Sequence, residues 1–172
     1  MMLVICKKLH QIRFGQLMAV YEEGNRENGQ DLYPNLSPGE QILRAEQDFY
    51  QYLQDDFFPA QEAAYYLWQM NDRYVSALRM EKYRDGLLLE ALETAPNQRG
   101  KGYASSLICA VQQLPELGGR KIYSHVGKWN KASLAAHQKC GFEIIADRAV
   151  YIDGSVNDRC YTLCYLCKQA GA

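Results

Sequence analysis

Arg99, Gly100, Lys101, Gly102, Tyr103 and Ala104 run consecutively, between a β-prone stretch at 87–94 and a helix-like stretch at 104–114. A glycine-rich turn that opens a helix directs several unpaired backbone N–H groups one way, at the positive end of the helix dipole. Such a surface takes a phosphate or pyrophosphate without needing charged side chains. Two common phosphate patterns fail here. A P-loop requires Ser or Thr after its lysine, where Gly102 stands. A dinucleotide fingerprint requires glycine where Ser105 stands and an acid about 20 residues on, and the chain has Arg120-Lys121 there. Judged alone, the turn could equally be structural.

The elements that would position it read from periodicity and turn residues. Residues 3–6 suit a short strand. Phe14, Leu17, Met18 and Tyr21 recur at helical spacing until the 24–29 glycines and Tyr33-Pro34-Asn35 break the pattern. Ser37-Pro38-Gly39-Glu40 is a helix start, with serine able to cap, proline in the first turn and Glu40 able to complete a capping box. That helix aligns Ile42, Phe49, Leu53 and Phe57. Runs at 63–70 and 73–80 flank Asn71-Asp72, a tight hairpin, and Asp85-Gly86 leads into a third antiparallel run at 87–94. After the turn come a helix with Ala104, Leu107, Ile108 and Val111 inward, a strand at 121–126, and a helix from Asn130 to Cys140 stopped by Gly141. Strands at 142–151 and 159–167 join across Asp153-Gly154. The expectation is a mixed α/β fold, with a twisted, mainly antiparallel sheet of about seven strands and four helices.

At 172 residues and 48% hydrophobic content, the chain suits one domain over 1–172. A formal net charge of −1 gives no bulk attraction to nucleic acid or membrane. The charge is uneven, however. Residues 21–62 hold ten acids against two bases, and the chain from residue 63 holds fourteen bases against ten acids. That split suits a cationic acceptor and an anionic donor. No targeting segment or membrane span is visible, so a cytoplasmic protein is expected, with its six cysteines reduced. Cys160, Cys164 and Cys167 do not share a strand face, so no metal site is expected.

Leu92-Glu93-Thr94-Ala95-Pro96, the turn from Arg99 to Ala104, then Asn130 and Lys139-Cys140-Gly141-Phe142 together closely resemble the GNAT superfamily of acyl-CoA-dependent N-acetyltransferases. The turn resembles its Gln/Arg-x-x-Gly-x-Gly/Ala motif, with alanine last. The resemblance covers about 63–167, and 1–62 follows only the order of elements, as the acceptor side. It implies that Arg99, Gly100, Lys101, Gly102, Tyr103 and Ala104 hold the pyrophosphate of acetyl-CoA. It further implies that the strand carrying Leu92, Glu93 and Thr94 splays from its parallel neighbour, so that pantetheine lies in the gap and pairs with exposed backbone. Asn130 matches a position whose side-chain amide touches the pantetheine arm. Homodimers are frequent in the family, but no interface is legible here.

Making an amide from a thioester requires a neutral amine, a stabilised oxyanion and a protonated thiol. An alkylamine has a pKa near ~10.4, so a general base is needed. Glu90 is the first candidate. It stands two residues before Leu92, so a regular strand points both to one face, whereas Glu93 points to the other unless a bulge intervenes. The resemblance implies a tyrosine acid seven residues after Asn130, and His137 stands there instead. Two helical turns separate them, about 10 Å, and histidine can protonate a thiolate. Tyr103 and Tyr123 are the fallback hydroxyls; His10 and His125 have no motif behind them. A backbone N–H of the Leu92 strand would hold the oxyanion. The expected activity is acetyl transfer from acetyl-CoA to a primary amine of a small molecule or peptide, in a ternary complex. The alternative is an acyl-CoA-binding module that has lost turnover, and a dinucleotide-dependent oxidoreductase ranks last.

Overall fold

The computed structural model describes residues 1–168. Strand β1 (Met2–Cys6) leads through a 3₁₀ turn into helices α1 (Phe14–Val20), α2 (Glu22–Leu32) and α3 (Pro38–Tyr52). A π-helical turn over Leu53–Phe57 extends α3 and buries both of its end residues. The meander follows as β2 (Ala64–Met70), β3 (Arg73–Tyr83) and β4 (Gly86–Thr94), then α4 (Tyr103–Gln112), β5 (Lys121–Gly127) and α5 (Lys131–Lys139). Four strands come last among the described residues: β6 (Glu143–Ala146), β7 (Ala149–Val150), β8 (Val156–Asn157) and β9 (Cys160–Leu166). Seven of the nine strands form one sheet in the order β1-β2-β3-β4-β5-β9-β6, and β7 and β8 form a separate ribbon. No described helix is long and apolar enough to cross a membrane.

Local signals explain most of these elements. Asn71 and Asp72 both adopt positive φ, as the β2–β3 turn demands. The capping box of α3 forms, with the Ser37 amide donating to Glu40 at 3.0 Å. Gly141 stops α5 at φ 82°. Two expectations need correction. Among the described residues the α-helices number five rather than four, because the glycine segment at 24–29 is helical within α2. A Cβ on Gly29 would come within 2.5 Å of the Gln41 backbone oxygen, so this glycine serves the close approach of α2 to α3. The expected strand at 142–151 is also divided: β6 joins the main sheet, and β7 pairs only with β8.

Strand alternation sorts the core onto the two sheet faces. Ala64, Tyr66, Leu78, Met80, Leu87 and Leu89 pack against Leu107, Ile108 and Val111 of α4 and Leu134 of α5. Tyr65, Leu67 and Ala77, from the opposite face, pack against Leu17, Met18 and Val20 of α1 and against Leu53 and Phe57. The fully buried leucines among these each stabilise the fold by about 1.5–3 kcal/mol.

Candidate active site

Among the described residues the sheet's one parallel pair is β4 with β5, and it is short. Pairing runs from Gly86↔Lys121 to Leu89↔Ser124 and stops there, although β4 continues to Thr94 and β5 to Gly127. Beyond Leu89 the strands part, leaving a cleft of about 170 Å³ lined by Glu90, His125 and His137. A groove of about 500 Å³ adjoins it, running between Leu92 to Thr94, the glycine turn and the first two turns of α5. Leu92, Asn130 and Ser133 border both spaces.

The turn is built as its residue types suggest. Gly100 and Gly102 have φ of 76° and 79°, and an added Cβ at either would meet nothing within 4 Å. Gly102 is the N-cap of α4, so the open ground before it faces the unpaired N–H groups of the first helical turn. That combination fits a diphosphate. Leu92, Glu93, Thr94, Arg99, Gly100, Gly102, Tyr103, Ala104 and Asn130 all line the groove. Lys101 does not; its Nζ donates to Gln98 at 2.9 Å in the open. Arg99 reaches back to the Thr94 carbonyl at 3.3 Å and forms ion pairs with Glu23 and with Glu93. Burial raises the Glu93 carboxyl above its ordinary value, with Arg99 opposing. The Asn130 Oδ1 accepts from the Ser133 amide at 3.0 Å and caps α5, which leaves its Nδ2 hydrogens for a ligand.

A bulge in β4 changes which carboxylates face the acceptor side. Arg79 pairs with Glu90 and Ala77 with Glu93, so two β4 residues oppose Leu78 alone, and Ala91 takes φ 50°. Leu92 consequently packs with the α4 face and Ala91 with the α1 face. Glu90 and Glu93 therefore share a face, and Glu90 and Leu92 do not, contrary to the expectation for a regular strand. The Tyr21 hydroxyl donates to the Ala91 carbonyl at 2.7 Å and holds the bulge. Glu90 lies 3.5 Å from Arg79, whose guanidinium sits over the Tyr52 and Phe57 rings at 4.8 and 5.3 Å.

His137 is 1% exposed. Its Nδ1 lies 2.8 Å from the Ser133 carbonyl and its ring meets Phe142 edge-on at 5.1 Å. Burial lowers its pKa, with the Ser133 carbonyl opposing, so the neutral ring is favoured. Tyr123 is occupied elsewhere: its hydroxyl donates to Asp85, where β4 begins. Tyr103 lines the groove with its hydroxyl 3.5 Å from the Met70 sulfur. His125 went unmarked by any motif, yet it lines the cleft. Its Nδ1 is 3.2 Å from the Thr162 hydroxyl, and its ring is flanked edge-on by Tyr83 and Tyr151. Burial lowers its pKa as well, against the Val150 carbonyl. Its neighbours come from β3, β7–β8 and β9, so nothing local in the sequence signals them. Among the described residues no cluster of His, Cys, Asp and Glu could hold a metal.

The model of the acetyltransferase (GNAT) family matches residues 30–142. The chain belongs to that family. It is an enzyme of the acetyltransferase class, and its sheet and helices are those of the GNAT fold. Solved structures agree on the fold. The ribosomal-protein-S18-alanine N-acetyltransferase of Escherichia coli superposes with a TM-score of 0.59 at 16% identity, over 99% of this chain and 97% of that one. The PaiA N-acetyltransferase of Thermoplasma acidophilum, in complex with coenzyme A, gives 0.60 at 12% identity over 96% and 99%. Spermidine N-acetyltransferase of Vibrio cholerae, in complex with CoA and spermine, gives 0.59 at 19% identity over 96% and 95%. No curated protein matches the chain by sequence.

Proposed function

We propose that this protein transfers an acetyl group from acetyl-CoA to a primary amine, by direct attack within a ternary complex. The observation that carries the reading is the parting of β4 and β5 beyond Leu89, which opens a cleft continuous with a helix-capping glycine turn. The turn would take the pyrophosphate on backbone N–H groups of α4, and the groove would take the pantetheine between Leu92–Thr94 and Asn130. In that arrangement the thioester would lie at the inner end, beside His137 and Glu90. The coenzyme A bound to the Thermoplasma structure supports the choice of donor. The Vibrio structure's spermine and the acidic 21–62 segment support an amine acceptor. In this reading Glu90, with Arg79 as its partner, lies at the acceptor entrance, and an unpaired β4 amide beside the Ala91 bulge receives the oxyanion.

The test is release of free CoA thiol when the purified chain meets acetyl-CoA and a panel of polyamines, aminoglycosides, amino acids and peptides, with the acetylated product weighed by mass spectrometry. Turnover with at least one amine, above that of buffer, is expected. Tight CoA binding with no release across the panel would instead mark an acyl-CoA-binding module. Sedimentation at assay concentration would show whether the chain works as a homodimer.

A further inference from the structure

When an amine cleaves a thioester, nitrogen must lose a proton and sulfur must gain one. In the tetrahedral adduct both atoms are bonded to the same carbon. A lone pair within hydrogen-bond reach of one is therefore close to the other. His137 offers such a lone pair. The Ser133 carbonyl only accepts, so the Nδ1 lying 2.8 Å from it carries the ring proton. Nε2 is then unprotonated, and it is buried without any hydrogen-bond partner. A buried polar atom left unpaired is uncommon in folded proteins and invites an explanation. The ring lines the cleft where β4 and β5 part, so a donor group arriving there with the substrates supplies one. Glu90 of β4 and His125 of β5 border the same cleft. Glu90 is engaged with Arg79. The His125 Nε2 is also buried without a partner, but His137 belongs to α5, whose Ala132, Ser133 and Ala136 line the donor groove as well, whereas no residue of β5 does.

Resting on the transfer reaction above, we propose that His137 is a proton shuttle, serving both the attacking nitrogen and the departing sulfur through Nε2. The neutral amine adds to the acetyl carbon, having already released its ammonium proton to solvent. The adduct nitrogen, now positive, passes one proton to Nε2 and the ring becomes imidazolium. The C–S bond breaks, sulfur takes the electron pair, and the imidazolium returns that same proton to it. The products are the amide, the free CoA thiol and a neutral His137. Burial favours the neutral ring at the start of the cycle and makes the imidazolium quick to give its proton away. A one-way acid would have to begin as the buried cation.

Two measurements test this. ¹⁵N NMR of the labelled wild-type chain reads the tautomer with no mutation: a protonated Nδ1 and a bare Nε2 at neutral pH are expected, and a ring protonated at Nε2 overturns the shuttle. Steady-state kinetics then compare the wild type with His137→Gln on the best amine of the panel and on its weakly basic fluoroalkyl analogue. The variant is expected to lose about 100- to 1,000-fold in kcat with the alkylamine, with KM for acetyl-CoA within about threefold. The fluoroalkyl adduct sheds its proton to water unaided, so there the defect shrinks at least tenfold. A defect of equal size on both amines overturns the shuttle in favour of a one-way acid, and an unchanged kcat overturns any proton role. A wild-type enzyme that releases no CoA from any amine removes the transfer reading and the shuttle with it.

Discussion

The two ends of the cleft are made of different material. The donor end is main chain: a turn with two glycines at positive φ, the open N-terminus of α4, and the unpaired edge of β4. The acceptor end is side chain: Glu90 on Arg79, Arg79 over two aromatic rings, and Tyr21 reaching across from the junction of α1 and α2 to hold Ala91. A site of backbone groups depends on a few residues that permit its conformation. A site of side chains depends on every element that brings them together.

The strongest way to break this contrast is to strain the turn. Gly102→Val forces a β-branched residue into left-handed φ, at a cost of about 1–2 kcal/mol or more. CoA affinity measured by calorimetry is expected to fall by at least about tenfold. Arg99→Ala, which removes a long charged side chain of the turn and spares its backbone, is expected to cost less than about fivefold, in keeping with an exposed ion pair. A larger loss for Arg99→Ala than for Gly102→Val would show that the donor end is also built from side chains.

A second test strikes the other end from a distance. Gly29→Ala drives a Cβ to within 2.5 Å of the Gln41 oxygen, a backbone atom that cannot rotate away. Separating α2 from α3 is expected to lower stability by about 1–3 kcal/mol, read in urea unfolding. Activity toward the amine should fall while CoA affinity holds. Equal loss of both would mean the two ends are one mechanical unit.

This division also explains what could be read beforehand. The Ser37 cap, the Asn71-Asp72 hairpin and the glycine turn are local chemistry, and each forms where its residues stand. The helix across the 24–29 segment was not legible, because Gly29 answers to a backbone 12 positions further along the chain, Gln41. The bulge was hidden too, since alanine gives no sign that it will adopt φ 50°; only the Tyr21 hydroxyl and the offset pairing with β3 account for it. His125 became visible only once β7 and β9 were folded around it.

The smallest expected effect concerns neither end but the strand pair between them. Asp85 accepts from Lys121 at 2.7 Å and from Tyr123, and these bonds lower its carboxyl pKa to about 2. A lowered folded pKa means that the contribution is intact above the unfolded value, near 3.8, and disappears as the pH falls through about 2. Acid unfolding of the wild type should therefore steepen in that window, and Asp85→Asn should flatten it. An identical acid limb in both would show that the bond does not help to hold the pair together.

In backbone pairing, β1 to β4 join β5, β9 and β6 through four residue pairs, Gly86 to Leu89 with Lys121 to Ser124. The sheet is thus two plates sharing a narrow hinge, and a thin rod laid in the open gap would fasten both along their length. Occupancy of the gap should then be legible far from it, as slower amide exchange on both sides at once.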